Sequence, residues 1–238
     1  FNSHVSDDVD HDQWRVSFES EIKRLRSETG PRTVTSVFFG GGTPSLMKPV
    51  VVQAILDCID DQWGMGEACE VTLEANPTSV EAGRFRDLRR AGINRVSVGL
   101  QALNDPDLRT LGRLHSSAEG MAAFELALSI FPRASFDLIY ARQNQSLRDW
   151  ERELTQAISM GASHMSLYQL TIEPGTAFGY RHANGGLRGL PSDDTSADMF
   201  ELTQELCSAA GLPAYEVSNH ARPGDESRHN LTYWRSGD

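Results

Sequence analysis

The spacing of apolar residues along the chain changes repeatedly between two periods. Six short runs rich in β-branched and aromatic residues predict strands, at 33–39, 69–74, 95–100, 135–140, 164–170 and 214–217. Apolar residues three or four positions apart predict a first helix through Trp14, Phe18, Ile22 and Leu25. The same spacing predicts helices at 50–63, 79–91, 118–130, 147–160 and 192–210, whereas 175–189 is predicted as a long loop.

This regular alternation predicts a fold of the α/β class. Repeated βα units are typical of a parallel sheet with helices outside it, and right-handed crossovers curl such a sheet into an open or closed barrel. Gly92, Gly161 and Gly211 each follow the last apolar residue of a predicted helix, where a left-handed residue commonly ends a helix. A strand is predicted within a few residues of each of these glycines, which supports the βα interpretation.

Ligands of parallel βα folds bind at the carboxyl ends of the strands. The residues that follow or end the predicted strands are therefore candidates for a binding site. They are Gly40, Gly41, Gly42, Thr43 and Pro44 after the first strand, then Glu74 and Asn76, Gln101, Tyr168 and Gln169, and finally Glu216, Ser218 and Asn219. Asp137, which lies inside the fourth strand, is a further candidate.

The three consecutive glycines after the first strand are the most informative of these. Glycine lets the backbone approach a ligand and present its own N–H and C=O groups. The alternative is a tight turn imposed by the geometry of the sheet. Neither GxGxxG nor a lysine followed by Ser or Thr is present after Gly42, so a phosphate-binding loop is not predicted.

Two carboxylates belong to otherwise apolar strands. Glu74 and Asp137 each need hydrogen-bond donors or a cation to offset the loss of hydration. A structural partner, such as an arginine on a neighbouring loop, would suffice for either of them. Two acids, an amide and a glycine loop at one sheet edge favour a ligand that carries amino and hydroxyl groups.

Composition and charge restrict the function further. The 238 residues carry a formal net charge of −11, which disfavours binding to nucleic acid or to an anionic membrane. The sequence contains neither a membrane-spanning run nor a signal segment at its start, so a cytoplasmic location is predicted. Cys58, Cys69 and Cys207 have no metal-binding spacing and are predicted to be buried reduced thiols.

Several motifs along the chain match one family. They are GGGTPS at 40–45, LEANP at 73–77, RVSVGLQ at 95–101, LGRLH at 111–115, DLIY at 137–140, YQLTIEPGT at 168–176, and YEVSNHARPG with HNLTYW within 215–234. Together they resemble the radical S-adenosylmethionine family around oxygen-independent coproporphyrinogen III oxidase. HNLTYW favours the HemW branch of that family, whose members are regarded as heme chaperones. The resemblance implies a partial, open TIM-like barrel.

The resemblance also implies binding residues. Gly41, Gly42 and Thr43 would line S-adenosylmethionine, and Glu74 would face its polar end. Gln101, Arg113 and Asp137 match positions that in the oxidase contact a second S-adenosylmethionine or its surroundings. His229 is the candidate heme ligand, and Tyr233 and Trp234 would pack on the porphyrin. Alternatively, these three side chains simply pack at the edge of the barrel.

The family binds a 4Fe–4S cluster through three cysteines in a CxxxCxxC motif, which this sequence lacks. Relatives carry a segment like Asp-Phe-Asn-Ser-His directly after it, and this chain begins with Phe1-Asn2-Ser3-His4. We therefore expect the cysteine motif and the first barrel strand before residue 1, and a small domain after residue 238. Residues 1–238 would then be one incomplete core domain without a cluster and without radical activity.

Two positions depart from the family pattern. Many relatives read Gly-Leu-Pro-Gly-Gln after the fourth strand, where this chain reads Ala141-Arg142-Gln143-Asn144-Gln145, so the turn is expected to differ. Many also carry cysteine at the position of Ser227. Three functions remain open: a heme chaperone that serves respiratory proteins, a coproporphyrinogen III oxidase, and a substrate-binding βα barrel without radical chemistry.

Overall fold

The computed structural model describes residues 9–78 and 82–237. Their strands form one six-stranded sheet in the order β1-β2-β3-β4-β5-β6. The strands are β1 (Val34–Phe39), β2 (Met65–Ala75), β3 (Arg95–Gln101), β4 (Arg133–Tyr140), β5 (His164–Gln169) and β6 (Asn219–Ala221). The helices are α1 (His11–Thr29), α2 (Pro49–Trp63), α3 (Phe85–Arg90), α4 (Asp105–Thr110), α5 (Ser117–Ile130), α6 (Leu147–Ser159), α7 (Ala177–Ala183), α8 (Asp193–Ala209) and α9 (Arg228–Trp234), with a 3₁₀ turn at Pro44–Leu46.

The α/β class and the open, mostly parallel sheet are confirmed. β2 is parallel to both β1 and β3, and β5 is parallel to β4. The registers place Phe39 beside Leu73, and Glu74 beside Ser97. The glycines predicted to end helices are also confirmed, because Gly92, Gly161 and Gly211 all have φ between 75° and 112°.

The predicted sixth strand is wrong in both position and direction. Residues 214–217 contribute only an isolated bridge between Ala214 and His220, and the true strand, β6, runs antiparallel to β5. The β-forming residues Tyr215 and Val217 belong to a turn, which the Tyr215 N–H closes by donating to the Asn219 carbonyl at 3.1 Å. Asn219 therefore begins β6 instead of following a parallel strand.

Other differences concern short helices. The predicted loop at 175–189 contains α7, whose N-cap Thr176 accepts a hydrogen bond from the Gly179 N–H. The helices α4 and α9 have only six and seven residues, too few for their apolar spacing to stand out. The predicted helix at 79–91 corresponds to α3, and residues 79–81 lie outside the described part of the chain.

The chain divides into two compact units, which are described separately. Of the described residues, unit 1 contains 99–121 and 135–226, and unit 2 contains the remainder. In unit 2, α1 lies against α2 through a cluster around Ile22, Val51 and Ile55. Phe85 and Phe131 form an edge-to-face pair with ring centroids 5.6 Å apart.

The core of unit 1 is centred on a fully buried tryptophan. The Trp150 ring of α6 stacks on Tyr140 at 5.1 Å, and its Nε1 donates to the hydroxyl of Thr203 in α8 at 2.8 Å. Burial raises the pKa of Tyr140 to about 12. The N-terminus of α6 carries a capping box, in which Ser146 and Asp149 satisfy each other's backbone N–H groups. In the described residues of the two units, no helix is both long enough and apolar enough to cross a membrane.

Candidate functional site

The glycine loop of unit 2 faces the carboxylate of Glu74. β1 ends at Phe39, and the backbone N–H of Gly41 donates to Oε2 of Glu74 at 3.3 Å. Glu74 lies next to the last residue of the neighbouring strand β2. The parallel pairing of β1 and β2 brings the two together, as the sequence predicted from their positions after adjacent strands.

The structure gives a different explanation for glycine at each of the three positions. Gly41 has a φ of +106°, which other residues rarely adopt, and a Cβ on Gly40 would lie 2.9 Å from the Phe38 ring. Gly42 does not have a left-handed φ, and a Cβ added to it would have no neighbouring atom within 4 Å. A tight turn at the end of the strand, the alternative to ligand binding, therefore accounts for Gly40 and Gly41. It does not account for Gly42, whose open side favours the approach of a ligand.

The environment of Glu74 suits a cationic group. Burial raises the pKa of this carboxyl above its usual range, and the Gly41 N–H offsets part of that effect. Among the residues that the structure describes, no lysine or arginine forms an ion pair with Glu74. Nearby, the Asn76 amide points to the Thr43 hydroxyl at 3.5 Å. In the described part of the chain, the glycine loop thus meets a carboxylate that has no lysine or arginine as an ion-pair partner.

In unit 1 the structure brings Gln101 and Asp137 together. The Nε2 group of Gln101 donates to Oδ2 of Asp137. Gln101 has a φ of +69°, a left-handed conformation that costs a non-glycine residue about 1–2 kcal/mol. Backbone strain of this kind is often found at binding sites, which supports a functional role for the pair.

Arg113 lies in the same unit, in the turn between α4 and α5. Its backbone N–H donates to the Leu108 carbonyl at 2.8 Å, and its side chain is half-buried. The next residue but one, His115, places Nε2 3.2 Å from the Leu100 carbonyl. Burial is the main cause that lowers the pKa of His115, and the charge of Arg113 lowers it further.

The three heme candidates lie on α9 in unit 2. The His229 ring stacks on Phe38 with centroids 4.5 Å apart, and Tyr233 meets the His229 ring edge-on at 5.0 Å. Tyr233 and Trp234 are 73% and 57% exposed, so they do not pack into the core of this unit. Ser227, at the cysteine position of relatives, is the N-cap of α9 and accepts a hydrogen bond from the Asn230 N–H.

The sequence did not indicate a buried ion-pair cluster around Glu70 in unit 2. Its Oε2 contacts Arg95 and Arg133, each at 3.1 Å, while its Oε1 accepts the Arg228 N–H at 2.8 Å. The Glu70 side chain is only 1% exposed. Glu70 therefore fixes the N-terminus of α9, the helix that carries His229.

A second missed cluster surrounds Arg142 in unit 1. Its Nη2 contacts the carboxylates of Asp107 and Glu153, each at 2.6 Å. Oε1 of Glu153 also accepts the Leu103 N–H at 2.6 Å. The cluster lies beside a polar cleft of about 770 Å³ formed by α4, α6 and the loop after β4. The only sequence signal for this cluster was that residue 142 is arginine, where many members of the family have leucine.

Among the described residues, no group of three or more His, Cys, Asp or Glu side chains is placed to hold a metal ion. The three cysteines are free thiols. Cys69 and Cys207 are buried as predicted, whereas Cys58 is half-buried. Burial raises the pKa of all three thiols, that of Cys207 to about 12, so they are poor metal ligands.

Known proteins resemble this chain along most of its length. Residues 5–157 match the family described as the Radical SAM superfamily. The Heme chaperone HemW of Escherichia coli (strain K12) is 40% identical over 240 residues, which cover 100% of this chain and 62% of that protein. The mitochondrial Radical S-adenosyl methionine domain-containing protein 1 of Danio rerio is 37% identical, with 99% and 53% coverage.

The solved structure of coproporphyrinogen III oxidase (HemN) from Escherichia coli, a Radical SAM enzyme, has a similar fold. It superposes with a TM-score of 0.76 at 21% identity, over 94% of this chain and 51% of that structure. The chain therefore spans 62% or less of the length of these proteins.

Proposed function

Because this chain belongs to the Radical SAM superfamily, we propose that it is the core domain, residues 1–238, of a heme chaperone. The intact protein would bind S-adenosylmethionine, a 4Fe–4S cluster and heme, and would deliver heme to respiratory proteins. One observation favours the chaperone over the oxidase: the chain is 40% identical to a heme chaperone along its full length. The 21% identity to the oxidase structure supports only a common fold.

The glycine loop fits the methionine end of S-adenosylmethionine. Gly42 leaves open space beside the backbone, and Glu74 offers a carboxylate that no described cation neutralises. We assign Gly41, Gly42 and Thr43 to line the cofactor, and Glu74 to accept hydrogen bonds from its amino group. When bound beside a reduced cluster, the cofactor supplies one-electron chemistry. In unit 1, Gln101, Arg113 and Asp137 are assigned to a second S-adenosylmethionine or its surroundings.

His229 is the proposed heme ligand. Burial lowers the pKa of its imidazole, so the ring is neutral at physiological pH and keeps the lone pair that iron requires. Neither of its ring nitrogens forms a hydrogen bond with another described residue. The exposed Tyr233 and Trp234 follow on the same helix and can cover a porphyrin face.

The oxidase remains the second candidate, and one experiment separates the two. The intact protein would be reconstituted anaerobically with iron and sulfide, reduced, and given S-adenosylmethionine with coproporphyrinogen III. A chaperone should form no decarboxylated tetrapyrrole and should bind hemin, whereas catalytic turnover to decarboxylated product would establish an oxidase. His229→Ala should abolish hemin binding, and Tyr180→Ala, at an exposed aromatic residue of α7, serves as the control.

We also propose a cytoplasmic location and no nucleic-acid partner. The net charge of −11 gives the protein a field that repels both nucleic acid and anionic lipid surfaces. The partners would then be heme and a heme-receiving protein. The assignment of heme and a heme-receiving protein as partners has a direct test. The protein should retain labelled heme at low salt and should release that heme to an apo-cytochrome.

A further inference from the structure

The side chain of Phe38 in unit 2 contacts both the glycine loop and the proposed heme ligand. Its ring stacks on the imidazole of His229, with centroids 4.5 Å apart and the two planes 22° from parallel. The ring also lies against the start of the loop, because a Cβ added to Gly40 would be 2.9 Å from its Cε1 atom. The same Cβ would be 3.5 Å from Oε2 of Glu74, the proposed acceptor for the cofactor. One aromatic ring therefore connects the two candidate sites.

Stacking gives the His229 ring an orientation that hydrogen bonds do not supply. A histidine that binds a metal usually donates its other ring N–H to an acceptor, which fixes the plane of the ring. In the described part of the chain, no hydrogen bond holds either ring nitrogen of His229. The ring is instead held face to face by Phe38 and edge-on by Tyr233, at 5.0 Å. The position of the Phe38 ring thus influences the plane in which the imidazole can meet iron.

The backbone at His229 is held independently of this stack. The preceding residue, Arg228, donates its N–H to Oε1 of Glu70 at 2.8 Å and its Nη1 group to the Ala68 carbonyl at 2.6 Å. These bonds fix the start of α9 to β2, so the rotation of the imidazole is what remains adjustable. Phe38 and His229 are both half-buried, and core packing therefore does not enclose either ring.

We propose that Phe38 couples the two sites, so that S-adenosylmethionine in the glycine loop and heme on His229 each strengthen the binding of the other. This coupling rests on the proposed function. A cofactor packed against the loop restricts the Phe38 ring, and the restricted ring holds the imidazole in one plane. The second ligand then loses less conformational entropy when it binds. Phe38 is a positioning residue, because it acts through His229 and through Gly40.

The test measures this coupling in the intact protein, with its cluster reconstituted and no reductant present, so that the cofactor binds without being cleaved. Hemin affinity is measured by difference absorbance with and without saturating S-adenosylmethionine. Cofactor affinity is measured by equilibrium dialysis with and without hemin. Coupling between two binding equilibria is reciprocal, so the two affinity ratios must agree, and we expect about fivefold or more in the wild type.

Two variants disturb the Phe38 ring from different sides of the contact. Phe38→Leu keeps an apolar side chain but removes the stacked ring, and it should reduce both ratios to about one. Gly40→Ala adds a methyl group that must displace the Phe38 ring, and it should reduce the ratios as well. Phe18→Leu, at an exposed aromatic contact with Trp14, and Gly66→Ala, whose Cβ would have no neighbour closer than 3.7 Å, are the matched controls.

The controls should keep the wild-type ratios, and thermal unfolding of each variant checks its fold. If Phe38→Leu lowers the unfolding midpoint, Phe38→Tyr, which keeps a six-membered ring, serves as the second variant and should retain the coupling.

An affinity ratio near one in the wild type, or a wild-type ratio in a folded Phe38→Leu variant, would overturn the coupling and leave both binding assignments standing. If instead His229→Ala binds hemin as tightly as the wild type does, the proposed heme site and the coupling both fail.

Discussion

The guanidinium of Arg142 and the carboxylate of Glu153 form an ion pair at 2.6 Å in which both side chains are more than nine-tenths buried. Truncating one partner of such a pair leaves the other charge buried and unpaired. We therefore expect Arg142→Leu to lower the free energy of unfolding by about 3–5 kcal/mol, measured by urea denaturation. This is notable because leucine is the residue that many relatives carry there.

Arg152 provides the control for that prediction. It pairs with Asp149 on the surface of the same helix, with 70% of its side chain exposed. Arg152→Leu should change the free energy of unfolding by less than about 1 kcal/mol. Similar losses for the two variants would contradict the prediction, because burial of the Arg142–Glu153 pair would then add nothing to its contribution to stability.

The turn after β4 keeps a glycine-type backbone without glycine. Ala141 and Asn144 have φ of +57° and +58°, at the two positions where many relatives have glycine. This turn was expected to differ from that of relatives, and the difference thus lies in its side chains and not in its backbone conformation. Ala141→Gly should raise the free energy of unfolding by about 1 kcal/mol, because alanine is strained at this φ.

The control is Ala183→Gly at the end of α7, where the backbone is helical and the residue is exposed. Glycine should lower stability there by up to about 1 kcal/mol. Thermal unfolding of the two variants measures the opposite signs, and a destabilised Ala141→Gly variant would contradict the left-handed conformation.

Glu74 is expected to lower the stability of the folded protein at neutral pH while it serves binding. Its pKa is raised by burial, so the folded state disfavours the charged carboxylate. The associated stability is present at acidic pH, below the ordinary pKa of 4.5, and is lost as the pH rises through the raised value. Glu74→Gln should therefore stabilise the protein at pH 7 and should give little gain near pH 4.

The same substitution should weaken S-adenosylmethionine binding about tenfold or more at pH 7, because a charge-assisted hydrogen bond to the amino group is lost. In the wild type, affinity should fall as acid protonates Glu74, whereas the variant should show no such fall. Equilibrium dialysis across this pH range measures both. Equal pH profiles would remove Glu74 from the binding site.

His220 is a histidine whose ring lies buried in unit 1. It is 1% exposed, and neither ring nitrogen has a partner in the described part of the chain. Burial lowers its pKa from 6.5, and the nearby Ser218 backbone and Glu216 only partly oppose this effect. The unfolded chain therefore binds a proton more readily, and stability should decline as the pH falls below about 6.5.

We expect His220→Phe to reduce this acid sensitivity, with His220→Leu as a second variant if the larger ring does not fit. Unfolding midpoints at pH 5 and pH 8 measure the effect. The exposed His182 provides the control, since His182→Leu should leave the pH dependence unchanged. An unaltered slope in both His220 variants would assign the acid sensitivity to other groups.

Local signals in the sequence predicted most of the fold. The spacing of apolar residues and the glycines that end helices involve only residues close together in the sequence. The first five strands and most of the longer helices could therefore be located correctly. The last strand failed because Tyr215 and Val217 favour β structure individually, while a tight turn determines their actual backbone.

The candidate site was predictable only in part. Glu74 and the glycine loop follow adjacent parallel strands, and this rule alone indicates that they meet. The partners of Glu70 are 25, 63 and 158 residues away, on elements with no common local pattern. Such pairings depend on tertiary packing, which a single sequence does not display.

The hydrogen bond between Glu70 and Arg228 has a consequence for synthesis of the chain. A ribosome that has made Glu70 must add 158 more residues before this backbone donor exists, which takes about 10–30 s at ordinary elongation rates. Arg95 and Arg133 emerge earlier and can neutralise the carboxylate in the meantime. Unit 2, which contains β1, therefore reaches its final form only after the ribosome has passed Arg228.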